Sequence, residues 1–306
     1  DLQQPAEIPA DTYFGGKALY RLANLLQLAV QLDDAESADI ARTRLVEQLT
    51  DWTDPTRCET ESTRCFVYDP AAKGVVGKVS AFGSDEFNDH HFHYGYLLYA
   101  ASVAVADDPA LKERLRPVMD LVAADLATDA DSSFFPSQRV FDAYAGHSWA
   151  SGYVPFRDGN NQESSSEAVA AWNGLALWGD VTENAPLADE ARWMLANEAA
   201  TAQDYWVGFD ASEPVYTGYE HSVVALNWGS KRDYSTWFSA EPSAKLGIQL
   251  IPMGPASDYL AGDPERITAN LAEATAGGYD AQFGDYLLMY AALRGTDAAA
   301  VAYAQA

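Results

Sequence analysis

The stretch FNDHHFHYGY, Phe87 to Tyr96, holds three of the chain's five histidines beside a carboxyl and four aromatic rings. Two chemistries fit that density. His91 and His93 form an H-x-H, a spacing that zinc and iron sites use on strands. Asp89, Glu163 or His147 would then supply further ligands. Alternatively, Asp89 is a working acid that the histidines orient, or the histidines bind substrate themselves. A carboxyl beside Phe92 and Tyr94 is partly desolvated, which raises its pKa as a general acid requires.

A second stretch, RDGNNQESSSEAVAAWNGLALWG, runs from Arg157 to Gly179. Glu163 and Glu167 are four residues apart, so on a helix they face the same way. Acidic residues also suit the positive end of a helix, so this pair could be a capped surface turn. Against that reading, the following face carries Val169, Trp172, Leu175 and Trp178, and the preceding GNNQ offers amides suited to hydroxyls.

These residues must be positioned by helices, because helical periodicity dominates the chain. Apolar residues recur at three and four over Lys17–Leu32, then over Ile40 to Trp52. Tyr94–Ala106 is almost wholly apolar and is expected to be buried on most sides, with the histidines on the loop before it. Further helices are read over Leu111–Leu126, with a kink at Pro117, and over 163–178, 186–205, 264–276 and 282–293. Pro186 and Pro264 suit first-turn positions. The helices come in pairs joined by short acidic turns, and longer aromatic, Gly-rich segments follow at 53–92, 129–162 and 207–245. That rhythm predicts an all-α fold of helical hairpins, closed as an α/α toroid with the long loops on one face. EHSVVALNW and GIQLIPM are candidate short strands, too few for a sheet-based fold. No Pro-, Ser- or Gly-rich linker interrupts residues 1–306, which reads as a single domain.

Composition narrows the substrate. The 306 residues carry 19 basic and 45 acidic side chains, a net charge of −26. Nucleic acid and anionic membrane surfaces both require positive potential. Polyanionic polysaccharides are disfavoured on the same ground, whereas a neutral glucan fits. No apolar run approaches the ~20 residues of a membrane span. The chain starts at Asp1 without Met, so a leader or upstream region is expected to be missing. Cys58 and Cys65 enclose six residues; a disulfide there suits an exported protein, and two free thiols are the alternative.

FGSDEFNDHHFHYGY, FDAYAGHSWASG, GNNQESSSEAVAAWNGLALWG, DYSTWF and GIQLIPMGPASDYL together resemble glycoside hydrolase family 81, the endo-β-1,3-glucanases or laminarinases. The motifs stand in the family's order across most of the chain. The resemblance implies an (α/α)6-barrel catalytic domain and an inverting hydrolase of β-1,3-glucans such as laminarin and curdlan. It implies no cofactor and no metal, and a secreted protein, expected to act as a monomer. Carried over residue by residue, Asp89 looks like the general acid and Glu163 the base that activates water. Glu167 looks like a further essential carboxylate. His91, His93, Tyr94, His147 and Asn161 would line the cleft, with Tyr234 of DYSTWF a further substrate contact. Typical members are about twice as long, with an N-terminal β-sandwich that is not expected within these residues.

The chemistry agrees with that assignment. Inversion needs one protonated and one ionised carboxyl on opposite sides of the sugar, ~6.5–9.5 Å apart, with room for water. Glu163 and Glu167, on one helical turn, cannot straddle a sugar, whereas Asp89 and Glu163 lie 74 residues apart on different hairpins. The charge on Glu167 is expected to raise its neighbour's pKa. Trp149, Tyr153, Trp172, Trp228 and Trp237 flank these motifs and could stack on sugars along an open groove, which favours internal cleavage. Other readings are a polysaccharide lyase using Tyr94 or Tyr234 with a histidine and Asn161, a glucan-binding module without catalysis, and a metal-dependent hydrolase.

Overall fold

The computed structural model describes residues 2, 7–128 and 132–306; residues 129–131, inside the long segment expected at 129–162, lie outside the described set. The chain is mainly helical, with a few very short strands, and divides into two compact units. The first comprises Asp1–Val140 and Ala171–Trp193, the second Phe141–Ala170 and Met194–Ala306.

The first unit opens with α1 (Phe14–Gln31) and α2 (Ala35–Trp52), which pack together through Leu19, Leu22, Leu26, Leu45 and Leu49. The acidic turn between them supplies the cap: the Asp34 carboxylate accepts Ser37 N–H at 3.1 Å. A short helix, α3 (Arg57–Thr60), leads into the hairpin β1 (Phe66–Asp69) and β2 (Gly74–Gly77), paired antiparallel from Phe66↔Gly77 to Asp69↔Gly74. Cys58 and Cys65 are disulfide-bonded at the entry to this hairpin.

Helix α4 (His90–Val105) begins four residues earlier than the apolar run predicts, so His90, His91 and His93 form its first turn rather than a preceding loop. Nearly every residue of α4 is buried, which explains a sequence that is apolar on all faces. Helix α5 (Pro109–Leu126) packs against it and contains Pro117. Its first turn is held by Asp108, which accepts Leu111 N–H at 2.9 Å.

The second unit begins with the two-residue strands β3 (Phe141–Asp142) and β4 (His147–Ser148), paired with each other. Strand β5 (Asn161–Gln162) then leads into α6 (Ser165–Val181), and α7 (Ala185–Ala202) follows; both helices contribute residues to each unit. A single π-helical turn, Gln203–Val207, ends α7. Strands β6 (Leu226–Trp228) and β7 (Arg232–Asp233) join β5 in the order β5-β6-β7, all antiparallel. The strand expected in EHSVVALNW is thus present as β6. GIQLIPM is not a strand: helix α8 (Pro242–Gly247) enters it and its apolar residues fill the core as turns. Helices α9 (Pro264–Ala274), α10 (Gly284–Ala292) and α11 (Thr296–Gln305) complete the chain. Trp206, Leu246, Leu250, Leu271, Leu287 and Tyr290 form the core of this unit.

Two glycines decide how closely α4 packs in the first unit. A Cβ built on Gly95 would lie 2.3 Å from the Ala171 Cα, and one on Gly174 would lie 2.5 Å from the Gly95 carbonyl oxygen. Both neighbours are backbone, which cannot swing aside. Gly95→Ala is therefore expected to destabilise the protein by about 2 kcal/mol or more in chemical denaturation. Gly262→Ala, where a Cβ meets nothing within 4 Å, should stay within about 0.5 kcal/mol of wild type.

Candidate active site

Glu163 stands between the end of β5 and the start of α6, and its carboxylate is half-buried. It precedes the helix, whereas the sequence pattern starts that helix at Glu163 itself. Its Oε1 accepts the backbone N–H of Trp237 at 2.8 Å. Burial pushes the Glu163 carboxyl up from its ordinary 4.5 to about 7; the Trp237 N–H opposes that shift and the charge of Glu167 adds to it. The expected repulsion from Glu167 is therefore present but secondary. A carboxyl poised there is ionised in half its molecules near neutrality, the condition that suits a general base.

The intervening serines hold this carboxylate in place. Ser164 Oγ donates to Ile248 O at 3.0 Å, Ser165 Oγ to Gln249 Oε1 at 2.9 Å, and Ser166 Oγ to both Ile248 O and Ile251 O. Gln249 in turn donates its amide to the carbonyls of Glu163 and Ala225. ESSSE thus reads as two carboxylates whose spacer is bolted to the turn after α8. Glu167 lies in the first turn of α6 and is buried.

Trp237 reaches the same place from another segment. Its indole N–H donates to Asn161 Oδ1 at 3.3 Å while its backbone serves Glu163. The turn presenting it is tied by Thr236 Oγ1, which donates to Ser239 O at 2.6 Å and accepts Ser239 N–H at 3.0 Å. Phe156 and Trp228 flank the indole, with centroids at 5.5 and 5.7 Å. The ring is 57 % exposed, so it offers a face to solvent beside Glu163. Asn161 and Trp237 were named as candidates from the sequence; the serines, Gln249 and Thr236 were not, because such side-chain hydrogen bonds leave no periodic signal.

His147 and Tyr234 also lie in the second unit. His147 is buried, donates Nδ1–H to the Ser148 carbonyl at 2.9 Å, and packs edge-on against Trp149 and Trp206. Burial lowers its pKa, so it is neutral at pH 7. Tyr234 stacks on His221 at 3.6 Å, carries Lys245 Nζ over its ring at 4.3 Å, and hydrogen-bonds Glu273. Glu273 also accepts His221 Nδ1 at 2.6 Å and both donors of Ser222. Tyr234 is therefore committed to a side-chain cluster of its own.

In the first unit, Asp89 immediately precedes α4 and is half-buried. Its backbone is left-handed, φ +51°, and so is that of Phe87 at +61°. Such conformations are costly for bulky residues and persist where the surroundings impose them. Asn88 Nδ2 donates to Asp89 Oδ2 at 3.0 Å. The next residue, His90, is buried and hydrogen-bonds Asp125, which Arg139 pairs at 2.7 Å.

The histidines expected to line a cleft point inward. His91 and His93 are 0 % exposed. His91 stacks on Trp172, and His93 Nδ1 shares a hydrogen bond with Thr12 Oγ1 at 2.8 Å. Burial lowers both imidazole pKa values, that of His93 to about 3. The buried Tyr94 hydroxyl donates to Val75 O. All three side chains are buried in this structure, contrary to the expected cleft lining, and none presents a surface to a sugar. Trp172 is likewise core. Among the described residues no three His, Cys, Asp or Glu converge as a metal site would require.

A model of the glycosyl hydrolase family 81 C-terminal domain matches residues 1–277. The chain belongs to glycoside hydrolase family 81. It is 39 % identical over 277 residues to a glucan endo-1,3-beta-D-glucosidase of Acetivibrio thermocellus, covering 89 % of this chain and 35 % of that one. Proteins of the same name from Thermobifida fusca and Glycine max are 36 % and 33 % identical, over 85 % and 82 % of this chain and 34 % and 39 % of theirs. A solved mutant of the family 81 protein of Clostridium thermocellum, CtLam81A, matches with a TM-score of 0.86 and 36 % identity, over 93 % of this chain and 40 % of that one. This family 81 chain thus spans between a third and two-fifths of the length of these relatives.

The raised pKa of Glu163 carries a stability cost with a definite sign. Below pH 4.5 the carboxyl is protonated in folded and unfolded chains alike. As pH rises through 7 the folded protein must either hold the proton or ionise a half-buried group, and stability is lost. Glu163→Gln should therefore stabilise the protein at pH 8 by about 1–3 kcal/mol, the ceiling set by ~1.4 kcal/mol per unit. The gain should vanish at pH 4, as read from denaturation midpoints at the two pH values.

Proposed function

We propose that this chain is the catalytic part of a secreted endo-β-1,3-glucanase that hydrolyses glucans such as laminarin and curdlan with inversion. The observation that carries the reading is Glu163, a half-buried carboxyl brought near neutrality beside an exposed indole. Family membership supports it, as do the printed names of the relatives. The net charge of −26 accords with a neutral polymer rather than a polyanion.

In this mechanism Asp89 donates a proton to the leaving oxygen and Glu163 takes a proton from the attacking water. Glu167 adds through its charge to the upward shift that burial gives the Glu163 pKa. Trp237 stacks on a sugar face and, through its backbone N–H, holds the Glu163 carboxylate in one orientation. Asn161 fixes that indole. His91, His93, Tyr94 and His147 act from behind, as packing that keeps the first turn of α4 and strand β4 in place. Residues 1–306 act as a single (α/α)6 catalytic domain, a reading supported by a family match over residues 1–277 that enters both compact units, and the proposed form is a monomer.

Asp89→Asn and Glu163→Gln should each lower the release of reducing ends from laminarin by about 10²–10⁴-fold, the usual contribution of a positioned acid or base. The wild-type kcat/KM should rise with pH on its acid limb with an apparent pKa near 7, as Glu163 ionises. Normal activity in both variants would sink the assignment, and binding of laminarin without release would favour a non-catalytic glucan-binding module.

A further inference from the structure

We propose that Phe14 and Phe82 form a sugar-stacking subsite for a neutral glucan chain, continuous with Asp89. The proposal deepens the function given above and rests on it. Both rings lie in the first unit, and neither belongs to the site residues named so far.

Phe14 and Phe82 are 49 % and 55 % exposed, although their ring centroids are only 5.6 Å apart. Tyr13 lies beneath them, at 5.1 Å from Phe14 and 4.9 Å from Phe82, edge-on to both. The three rings make a firm base rather than a chance exposure. Tyr13 packs in turn on His93 and Tyr96 of α4. Asp11 Oδ1 accepts the N–H groups of Tyr13 and Phe14 at 2.9 and 2.7 Å, which fixes the start of α1. Phe82 has a left-handed backbone, φ +52°, a conformation costly for a bulky residue. Solvent-exposed rings held this firmly, one of them at the cost of strain, are unusual unless something stacks on them.

The neighbouring chemistry says what. Asn88 Nδ2 donates to Phe82 O at 2.8 Å and to Asp89 Oδ2 at 3.0 Å, so one amide joins the rings to the proposed acid. An apolar face rimmed by an amide and a carboxyl suits a pyranose ring, whose C–H faces stack on aromatics while its equatorial hydroxyls reach polar groups. Lys17 lies over the Tyr13 ring at 5.0 Å, and the chain's net charge of −26 disfavours a polyanion. A glucan lying across Asp89 would therefore continue onto Phe82 and Phe14.

The test uses the full chain with Phe14→Ala, Phe82→Ala, the double variant and Phe82→Trp. The double variant should raise the KM for laminarin at least tenfold with kcat within twofold, the scale of losing stacking on an aromatic face. Laminarin affinity, measured by calorimetry in a Glu163→Gln background, should weaken in parallel, and Phe82→Trp should retain wild-type KM and affinity. Unchanged KM and affinity in the double variant would overturn the subsite. So would a fall in kcat alone, or losses that track a lowered melting temperature and are not spared in Phe82→Trp. If the wild-type chain binds laminarin without cleaving it, and the double variant loses that binding, the subsite stands and only the hydrolase reading fails.

Discussion

Glu163 is a carboxylate that water cannot fully solvate, and the arrangement around it in the second unit follows from that. A group so placed ionises reluctantly, so every neighbour that touches it changes its chemistry as well as its position. The Trp237 N–H lowers its pKa, the Glu167 charge raises it, and burial outweighs both. The balance falls about where a base working at neutral pH should sit. The same burial makes the folded chain less stable once that proton leaves, a trade between stability and activity common at catalytic positions.

Holding such a group requires rigid support, and the local sequence supplies it by unusual means. Serine is favoured at a helix entrance but is a weak helix former beyond it, so three in succession call for a further reason. Here the Ser164 and Ser166 hydroxyls anchor α6 to the backbone carbonyls of Ile248 and Ile251, Ser165 bonds the Gln249 side chain, and Gln249 closes the loop by bonding the Glu163 carbonyl. In the first unit the support is of another kind. Asp89 stands on a left-handed backbone ahead of α4, whose first turn is fixed by buried His90, Asp125 and Arg139. The hairpin β1–β2 joins the same network, because Asp125 Oδ1 accepts Val75 N–H and Arg139 donates to the carbonyls of Ala72 and Lys73.

The helices were legible because burying an apolar stripe demands a period of three and four, and α1, α2, α5 and α9 obey it. Helix α4 was legible by the opposite sign, an apolar surface all round, yet its start was misplaced: polar histidines do not look like core until Thr12 and Trp172 are brought to them. GIQLIPM has the composition of a strand, and tertiary packing in the second unit overrides it. Local pattern singled out Asp89 and the Glu163–Glu167 pair as candidates, because each stands among amides and aromatic residues. It could not separate the aromatics that face solvent, Trp237 and Phe82, from those in the core, Trp172 and Trp206, because exposure is set by partners distant in sequence.

The measurement that tests the account most directly is proton NMR of the newly formed anomeric centre during laminarin digestion, with a chelator present. The proposed inverting mechanism gives the α-anomer first, with the β-anomer growing only by mutarotation. Initial appearance of the β-anomer would mean retention through a covalent intermediate, and would contradict the role of Glu163 as the base that activates water.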